Sequence, residues 1–155
     1  LEVGVFDVDG TACSYFHPKD AMRIRVRCVA RKVFNNLNVG LRIRNKEGVK
    51  MYSWGTLNQD IAGWHGQQGF ESFWNRHFSP NEEFTVEFDF DVSIGLGFYE
   101  VQAAVSHELT PDYANQQMLH WRDEAAFFQV SMKPDEYRFG GVADMAMRAR
   151  LVDDC

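Results

Sequence analysis

The stretch AMRIRVRCVA, residues 21–30, sets an apolar side chain at every second position against a row of arginines. The apolar positions are Met22, Ile24, Val26, Cys28 and Ala30, and the basic ones are Arg23, Arg25 and Arg27. Because successive side chains point to opposite faces of a β-strand, this pattern predicts a strand with one face on a core and the other in solvent. Strands of this kind are typical of antiparallel sheets.

The same alternation recurs along most of the chain and predicts about eight strands. They are expected within residues 3–8, 21–34, 38–44, 50–54, 84–92, 97–109, 125–133 and 142–152. Residues 45–48, Asn-Lys-Glu-Gly, read as a hairpin loop, and short helices are expected only near 69–76 and 119–124. We therefore predict an all-β fold, an immunoglobulin-like antiparallel β-sandwich that forms a single domain over residues 1–155.

Composition excludes several classes of function. A net charge of −6 over 155 residues argues against general affinity for nucleic acid. The three cysteines, Cys13, Cys28 and Cys155, lack CxxC spacing, which favours free thiols in a reducing compartment, with Cys28 in the core. The five histidines never occur at ligand spacing and no Gly-rich phosphate loop is present, so neither a metal nor a cofactor is expected. No apolar run approaches the length of a membrane span.

The opening residues Asp7-Val8-Asp9-Gly10-Thr11 match the D-x-D-G-T motif of magnesium-dependent phosphatases. That chemistry needs a parallel sheet with crossover helices, and the sequence predicts no long helix after the motif. The pair Asp153-Asp154 resembles the acidic pair of such enzymes, but it lies at the end of the chain. We therefore predict a turn in which Gly10 takes a positive φ, with no catalysis. A phosphatase is the remote alternative.

Charged rows on the predicted strands have two interpretations. The basic row comprises Arg23, Arg25, Arg27, Arg42 and Arg44, and the acidic row comprises Glu87, Asp89 and Asp91. Opposite charges on neighbouring strands form ladders that stabilise a sheet by roughly 0.2–1 kcal/mol per pair. The alternative is an anion site, which matters if the ligand carries phosphate.

A candidate binding face follows the predicted hairpin, in KMYSWGTLN, residues 50–58. If Met51 and Ser53 face the core, the aromatic and polar residues between and beyond them share the opposite face. Aromatic rings beside amides and arginine on a solvated sheet suit a sugar, whose C–H groups stack on rings and whose hydroxyls meet amides. The candidate ligand-binding residues are Arg44, Tyr52, Trp54, Thr56, Asn58, Gln102 and Trp121. The alternative is that the aromatic loop 59–80 folds over this face and buries it.

Assembled in order, these segments resemble the C-terminal domain of Wzt-type proteins, the nucleotide-binding subunits of ABC transporters that export bacterial O-antigen polysaccharide. The resemblance rests on VFDVDG, FHPKDAMRIRVRCVA, NVGLRIRNKEGVKMYSWGTLN, GFYEVQAAVSHE, LHWRDEAAFFQVSM and GGVADM. It implies a carbohydrate-binding domain that recognises the modified non-reducing end of its own glycan, cut from a longer protein whose ATPase lies in an N-terminal domain.

The resemblance also implies partners and a location. We expect the O-antigen terminus as ligand, the transmembrane transporter subunit as a partner of the full-length protein, and a cytoplasmic position at the inner face of the inner membrane. The segment 142–152 follows Gly140-Gly141, a possible hinge, so we further expect a homodimer that exchanges this last strand. The main alternative function is a protein-interaction sandwich that contacts another transporter subunit.

Overall fold

The computed structural model describes residues 1–66 and 68–152 of the chain. Cys155 and the Asp153-Asp154 pair lie outside the described residues. Among those that are described, no helix is long and apolar enough to cross a membrane.

Eight strands and one helix make up the described part of the chain. They are β1 Glu2–Asp7, β2 Tyr15–Phe16, β3 Ala21–Val29, β4 Leu37–Asn45, β5 Lys50–Gly55, α1 Thr56–Gly66, β6 Glu83–Asp91, β7 Gly97–Glu108 and β8 Gln116–Val130. One sheet has the order β1-β3-β6 and the other the order β2-β8-β7-β4-β5. Every pairing is antiparallel except that of β2 with β8. The predicted β-sandwich is confirmed.

The alternating residues of β3, β4 and β7 meet between the two sheets and form the core. The three-stranded sheet supplies Met22, Ile24, Val26 and Cys28, and the five-stranded sheet supplies Val39, Leu41, Ile43, Tyr99, Val101 and Val105. Cys28 is 5% exposed, which confirms its predicted place, and this burial raises the pKa of its thiol to about 11. The odd-numbered residues of β4 and β7 therefore point inward, which leaves the even-numbered ones on the outer face of their sheet.

The predicted charge ladder covers the outside of the three-stranded sheet. Arg23 bonds to Asp89 at 2.6 Å and Arg25 to Glu87 at 2.7 Å. Arg27 pairs with Glu83 rather than with a residue of the predicted acidic row. Arg42 and Arg44 take no part because β4 belongs to the other sheet.

The opening D-x-D-G-T motif forms the predicted turn. One carboxylate oxygen of Asp7 accepts the backbone N–H groups of Asp9 and Thr11 at 3.0 and 2.9 Å. The N–H of Gly10 bonds to the carbonyl of Asp7, and Gly10 takes a φ of 80°. The side chain that would be the phosphatase nucleophile thus closes a turn at the end of β1.

Both helix predictions were wrong. Residues 119–124 belong to β8, where Trp121 lies opposite Ala104 of β7. The helix instead spans Thr56–Gly66, part of which was predicted to continue the pattern of a strand. Its N-terminus is fixed by a distant residue, because the side-chain oxygen of Asn38 accepts the N–H of Leu57 at 3.0 Å. Because the capping residue is distant along the chain, the local periodicity of the sequence does not predict this helix.

The predicted strand within 142–152 is absent from the described residues. Only its start is anchored: Ala143 bridges to Ile94, and the N–H of Asp144 bonds to the carbonyl of Ser93. Beyond that point Met147 is 88% exposed and Leu151 is 93% exposed. Beyond Asp144 the described segment therefore exposes apolar side chains and forms no strand.

Candidate functional site

A row of small residues crosses the outer face of the five-stranded sheet. Gly55 of β5 lies opposite Gly40 of β4, Gly40 lies opposite Ala104 of β7, and Ala104 lies opposite Trp121 of β8. Because cross-strand partners share a face, three neighbouring strands carry nothing larger than a methyl group here, and the row ends at an indole. The row forms the floor of a depression with Trp121 as one wall.

Polar residues border this floor on both sides. One neighbouring row runs Ser53, Arg42 and Gln102, and the other pairs Asn38 with Ser106. The resulting pocket has a volume of about 290 Å³. Its remaining side chains include Asn58 from α1, Tyr113 from the β7–β8 turn, and Gln116 and Met118 from β8. We call it the outer pocket. Its size and its mixture of aromatic and amide groups suit a small polar ligand.

Two irregularities in β8 bring its side chains over the floor. Between Val101 and Ala103 the pairing jumps from Ala126 to Arg122, and between Val105 and Ser106 it jumps from His120 to Met118. Extra residues in one strand bend it and re-aim its side chains. The larger bulge contains Glu124, which has a φ of 47°.

The larger bulge also presents Asp123 to the pocket wall. Its Oδ1 atom accepts the amide Nε2 of Gln102 and, at 2.8 Å, the indole Nε1 of Trp121. Gln102 is 1% exposed and its Oε1 atom has no hydrogen-bond partner among the described residues. Asp123 thus fixes the orientation of two pocket residues, while the Gln102 Oε1 atom stays buried.

Arg42 stands beside Trp121. Its guanidinium carbon lies 4.8 Å from the centre of the indole ring, within the range of a cation–π contact. Arg44, two residues along the same face, bonds to Glu100 at 3.0 Å. The residue opposite Arg42 is the neutral Gln102, and in the described part of the chain Arg42 makes no ion pair. Its Nε atom is buried and lacks a described hydrogen-bond partner.

A buried carboxylate supports the opposite wall. Glu108 has no exposed surface, and its Oε1 atom accepts bonds from Asn38 at 3.3 Å, Ser106 at 2.7 Å and Gln116 at 2.6 Å. Three donors around one carboxylate oxygen hold these polar side chains in fixed positions. The wall is therefore organised before any ligand binds.

The start of α1 closes the pocket at the edge of the sheet. Asn58 accepts the N–H of Gly55 at 2.9 Å and the hydroxyl of Tyr113 at 2.7 Å. A tyrosine phenol is protonated at neutral pH and can donate this bond, and burial raises the pKa of Tyr113 further. Asn58 and Tyr113 thereby join α1 to the β7–β8 turn across the mouth of the pocket.

Four of the seven predicted site residues line the outer pocket: Trp54, Asn58, Gln102 and Trp121. Thr56 does not, because it is buried and its hydroxyl accepts the N–H of Val39 at 3.1 Å. Arg44 lies outside as well, in a depression of about 560 Å³ that also includes Phe98 and Phe127.

The expectation that Tyr52, Trp54, Thr56 and Asn58 share one outward face was wrong. Ile43 pairs with Tyr52 while Arg44 pairs with Lys50, so Met51 is an extra residue in β5. After this bulge the inward and outward positions of the strand are exchanged. Tyr52 and Trp54 therefore lie on the same side of the sheet as the core residues of β4. Ser53 accordingly lies outward beside Arg42, and Trp54 lines the pocket from the strand edge.

Tyr52 and Trp54 are nonetheless not buried by the following loop. Their rings stack with centroids 6.4 Å apart, and they are 54% and 36% exposed. They line a groove of about 340 Å³ between β5 and β6. The aromatic residues of the loop pack elsewhere: Phe73 contacts Phe78 and Phe84 at the core, and its N–H bonds to Asp60.

Sequence reasoning missed several pocket residues. They are Asn38, Gly40, Ser53, Gly55, Ala104, Tyr113, Gln116 and Met118. Gly40 and Ala104 carried a usable signal, because each is a small residue at an outward position of a long alternating strand. Tyr113 and Gln116 carried none, since their positions depend on the turn between β7 and β8.

Comparisons with known proteins give a consistent result for the fold. The family model described as the Wzt C-terminal domain matches residues 1–145. A solved structure, the crystal structure of the C-terminal domain of wzt, superposes with a TM-score of 0.78 at 15% sequence identity, over 97% of this chain and 81% of that chain. No curated protein matches the sequence.

Proposed function

This chain belongs to the Wzt C-terminal domain family, and on that premise we propose that its outer pocket binds the modified non-reducing terminus of a bacterial O-antigen polysaccharide. The family is associated with carbohydrate recognition by O-antigen ABC transporters. The proposed role is recognition without catalysis, in a protein whose ATPase lies in another domain. The location follows from that role: the cytoplasmic side of the inner membrane, at the transporter.

One observation carries the proposal. The row Gly55, Gly40 and Ala104 leaves an open floor beside Trp121, with polar side chains on both sides. A sugar ring can place its C–H face against an indole while its hydroxyls reach surrounding amides and hydroxyls. The pocket volume of about 290 Å³ suits one or two sugar units, as expected for an end rather than a long stretch of chain.

Titration calorimetry with two forms of one glycan tests the proposal. O polysaccharide from the bacterium that encodes the chain is compared with the same material after chemical or enzymatic removal of its terminal residue. We expect binding of the intact form and at least about tenfold weaker binding of the stripped form, a difference of about 1.4 kcal/mol. Equal affinities would show that the terminus is not the recognised feature.

A second function, contact with another transporter subunit, is supported by a different surface. Tyr52 and Trp54 form an exposed stacked pair on β5, which is an edge strand of its sheet. Aromatic residues are enriched in protein interfaces. Loss of co-purification between the full-length protein and its transmembrane subunit in Tyr52→Ser, with glycan affinity unchanged, would support this second role.

We also propose a homodimer built with the C-terminal segment. Residues 145–152 present the apolar side chains of Met145, Met147 and Leu151 to solvent. An edge strand of a second copy, such as β5 or β6, would pair with the backbone of this segment and cover those side chains.

A further inference from the structure

We propose that the group recognised in the outer pocket is acidic, a phosphate or a carboxylate on the terminal sugar, and that Arg42 binds it. This inference rests on the proposed function, because it names the chemical class of the ligand at the same site. It depends on the one charge that the pocket lining contains. Arg42 is the charged residue among the sixteen described residues that line the pocket.

The register of the sheet explains why this charge is uncompensated. Arg42 and Arg44 are equivalent residues of one strand face, yet the residue opposite Arg44 is Glu100 and the residue opposite Arg42 is Gln102. Arg44 accordingly forms an ion pair, with Glu100 only 13% exposed at the side chain. A partly buried guanidinium without a carboxylate is costly unless a ligand supplies the counter-charge.

Each of the two carboxylates behind the walls has one oxygen that already accepts hydrogen bonds from neighbouring side chains. Asp123 accepts N–H groups from Gln102 and Trp121, and Glu108 accepts bonds from Asn38, Ser106 and Gln116. Neither of them lines the pocket. Their bonds hold the neutral walls in place, and Arg42 is the charged side chain that a ligand in the pocket meets.

The geometry of Arg42 favours an oxyanion over a neutral hydroxyl. The guanidinium carbon lies 4.8 Å from the centre of the Trp121 ring, and the group forms no ion pair among the described residues, so its terminal N–H groups remain for bonds to a ligand. Planar, parallel donors match the two oxygens of a carboxylate or phosphate. Ser53, the cross-strand neighbour of Arg42 on β5, supplies a further hydroxyl donor at the pocket lining.

Neutral side chains complete the pattern around Arg42. Ser53 and Gln116 line the pocket, and their side-chain oxygens can accept hydrogen bonds from hydroxyls of the sugar that carries the acidic group. The pocket thus offers a cation for the substituent, acceptors for neighbouring hydroxyls and an indole for the ring. A neutral sugar would use the acceptors and the indole but would leave Arg42 without its partner.

The test uses O polysaccharide from the bacterium that encodes the chain in three forms: native, treated with hydrofluoric acid to cleave phosphate esters, and treated with carbodiimide and borohydride to reduce carboxylates. Each form is titrated into the wild-type chain and into Arg42→Gln, Arg42→Lys and Arg44→Gln. Thermal midpoints are recorded for every variant. Arg44→Gln is the matched control, because it removes a charge from the same strand face outside the pocket.

We expect one of the two chemical treatments to weaken wild-type binding about 10- to 100-fold, which also identifies the acidic group. Arg42→Gln should weaken binding of the native form by a similar factor and leave the treated form unaffected, with Arg42→Lys intermediate. Arg44→Gln should retain the native affinity.

Two results would overturn the inference while leaving the proposed function intact: full wild-type affinity for both treated forms, or native affinity in Arg42→Gln. If Arg42→Gln fails to fold, native affinity in Arg42→Lys together with insensitivity to both treatments has the same meaning. Failure of the wild-type chain to bind the native polysaccharide would overturn the proposed function itself.

Discussion

Gly40 of β4 and Ala104 of β7 lie directly opposite each other on the outer face of the five-stranded sheet. Neither carries a side chain larger than a methyl group, so the face has a depression there rather than a continuous layer of side chains. Because the depression opens to solvent, filling it should affect ligands far more than the fold.

Ala104→Leu should abolish glycan binding while the protein remains folded. The larger side chain would occupy the floor between Arg42 and Trp121, and substitutions on an open surface change the free energy of unfolding by only about 0.5 kcal/mol. Calorimetry gives the affinity and urea denaturation the stability. Gly40→Ala, which adds one methyl group to the same floor, should give a smaller loss of affinity. Undiminished binding by Ala104→Leu would place the ligand elsewhere.

Gly55→Ala should destabilise the protein by roughly 1–3 kcal/mol. A Cβ atom there would lie 2.7 Å from the Oδ1 atom of Asn38 and 3.2 Å from the carbonyl oxygen of Val39. That Asn38 oxygen is the cap of α1, so it cannot move away without losing the N–H of Leu57.

Gly40→Ala is the matched control for Gly55→Ala, because its nearest contact would be the Trp54 carbonyl at 3.7 Å, an ordinary van der Waals distance. Urea midpoints of the two variants measure the difference. Equal midpoints would mean that Asn38 is free to reorient and that the cap contributes little.

Trp121→Ala should weaken glycan binding by roughly 30-fold, because truncating a central aromatic anchor commonly costs about 2 kcal/mol. Tyr52→Ala is the control, since it removes an exposed aromatic ring from the same sheet but outside the pocket. Affinities of both variants are compared at unchanged circular dichroism. A large loss in Tyr52→Ala with none in Trp121→Ala would move the site to the groove between β5 and β6.

Asp60 should make stability depend on pH in the direction opposite to most carboxylates. It is 2% exposed and accepts the N–H groups of Phe73 and Trp74 at 2.9 and 2.8 Å, and burial raises its pKa in the folded state. Because the folded state binds this proton more tightly, its contribution is complete below the unfolded pKa and is lost as pH rises through the folded pKa.

The free energy of unfolding of the wild type minus that of Asp60→Asn should therefore fall as pH rises from about 3 to about 6. Urea denaturation over this range measures the difference and cancels the contributions of the other carboxylates. A difference that grows with pH would mean that the two backbone bonds outweigh burial.

Deletion of residues 146–155 should convert a dimer into a monomer. The deletion removes Met147 and Leu151, which are exposed in the single chain, and it keeps the bridge between Ala143 and Ile94. Sedimentation velocity at high micromolar concentration distinguishes the two states. If the undeleted chain of residues 1–155 is a monomer under these conditions, the exchanged strand is ruled out.

The sandwich itself was predictable because period-two alternation is strong in β3, β4, β6 and β7, and the burial of Ile24 and Val101 follows it directly. The orientation of the β5 side chains was not predictable, because one extra residue, Met51, reverses which of them face outward. Alternation in KMYSW is equally compatible with both phases, so the sequence contains no signal for this bulge.

The pocket was predictable only in part, for a related reason. Trp121 and Gln102 stand out as an aromatic and an amide on outward positions, but the contact that joins them runs through Asp123 in a bulge of β8. The helix α1 depends on Asn38, eighteen residues before its first residue in the chain. Such long-range hydrogen bonds override local propensity, and a short window of sequence does not contain both partners.

The four tryptophans provide the most direct measurement of the central claim that the outer pocket binds the glycan terminus. An oligosaccharide with its native terminus is titrated into the ¹⁵N-labelled chain while the indole N–H resonances are followed by NMR. We expect the Trp121 resonance to shift with the affinity found by calorimetry. Trp64, which packs against Trp74 away from the pocket, should not move. Saturating binding that leaves Trp121 unshifted would contradict the claim.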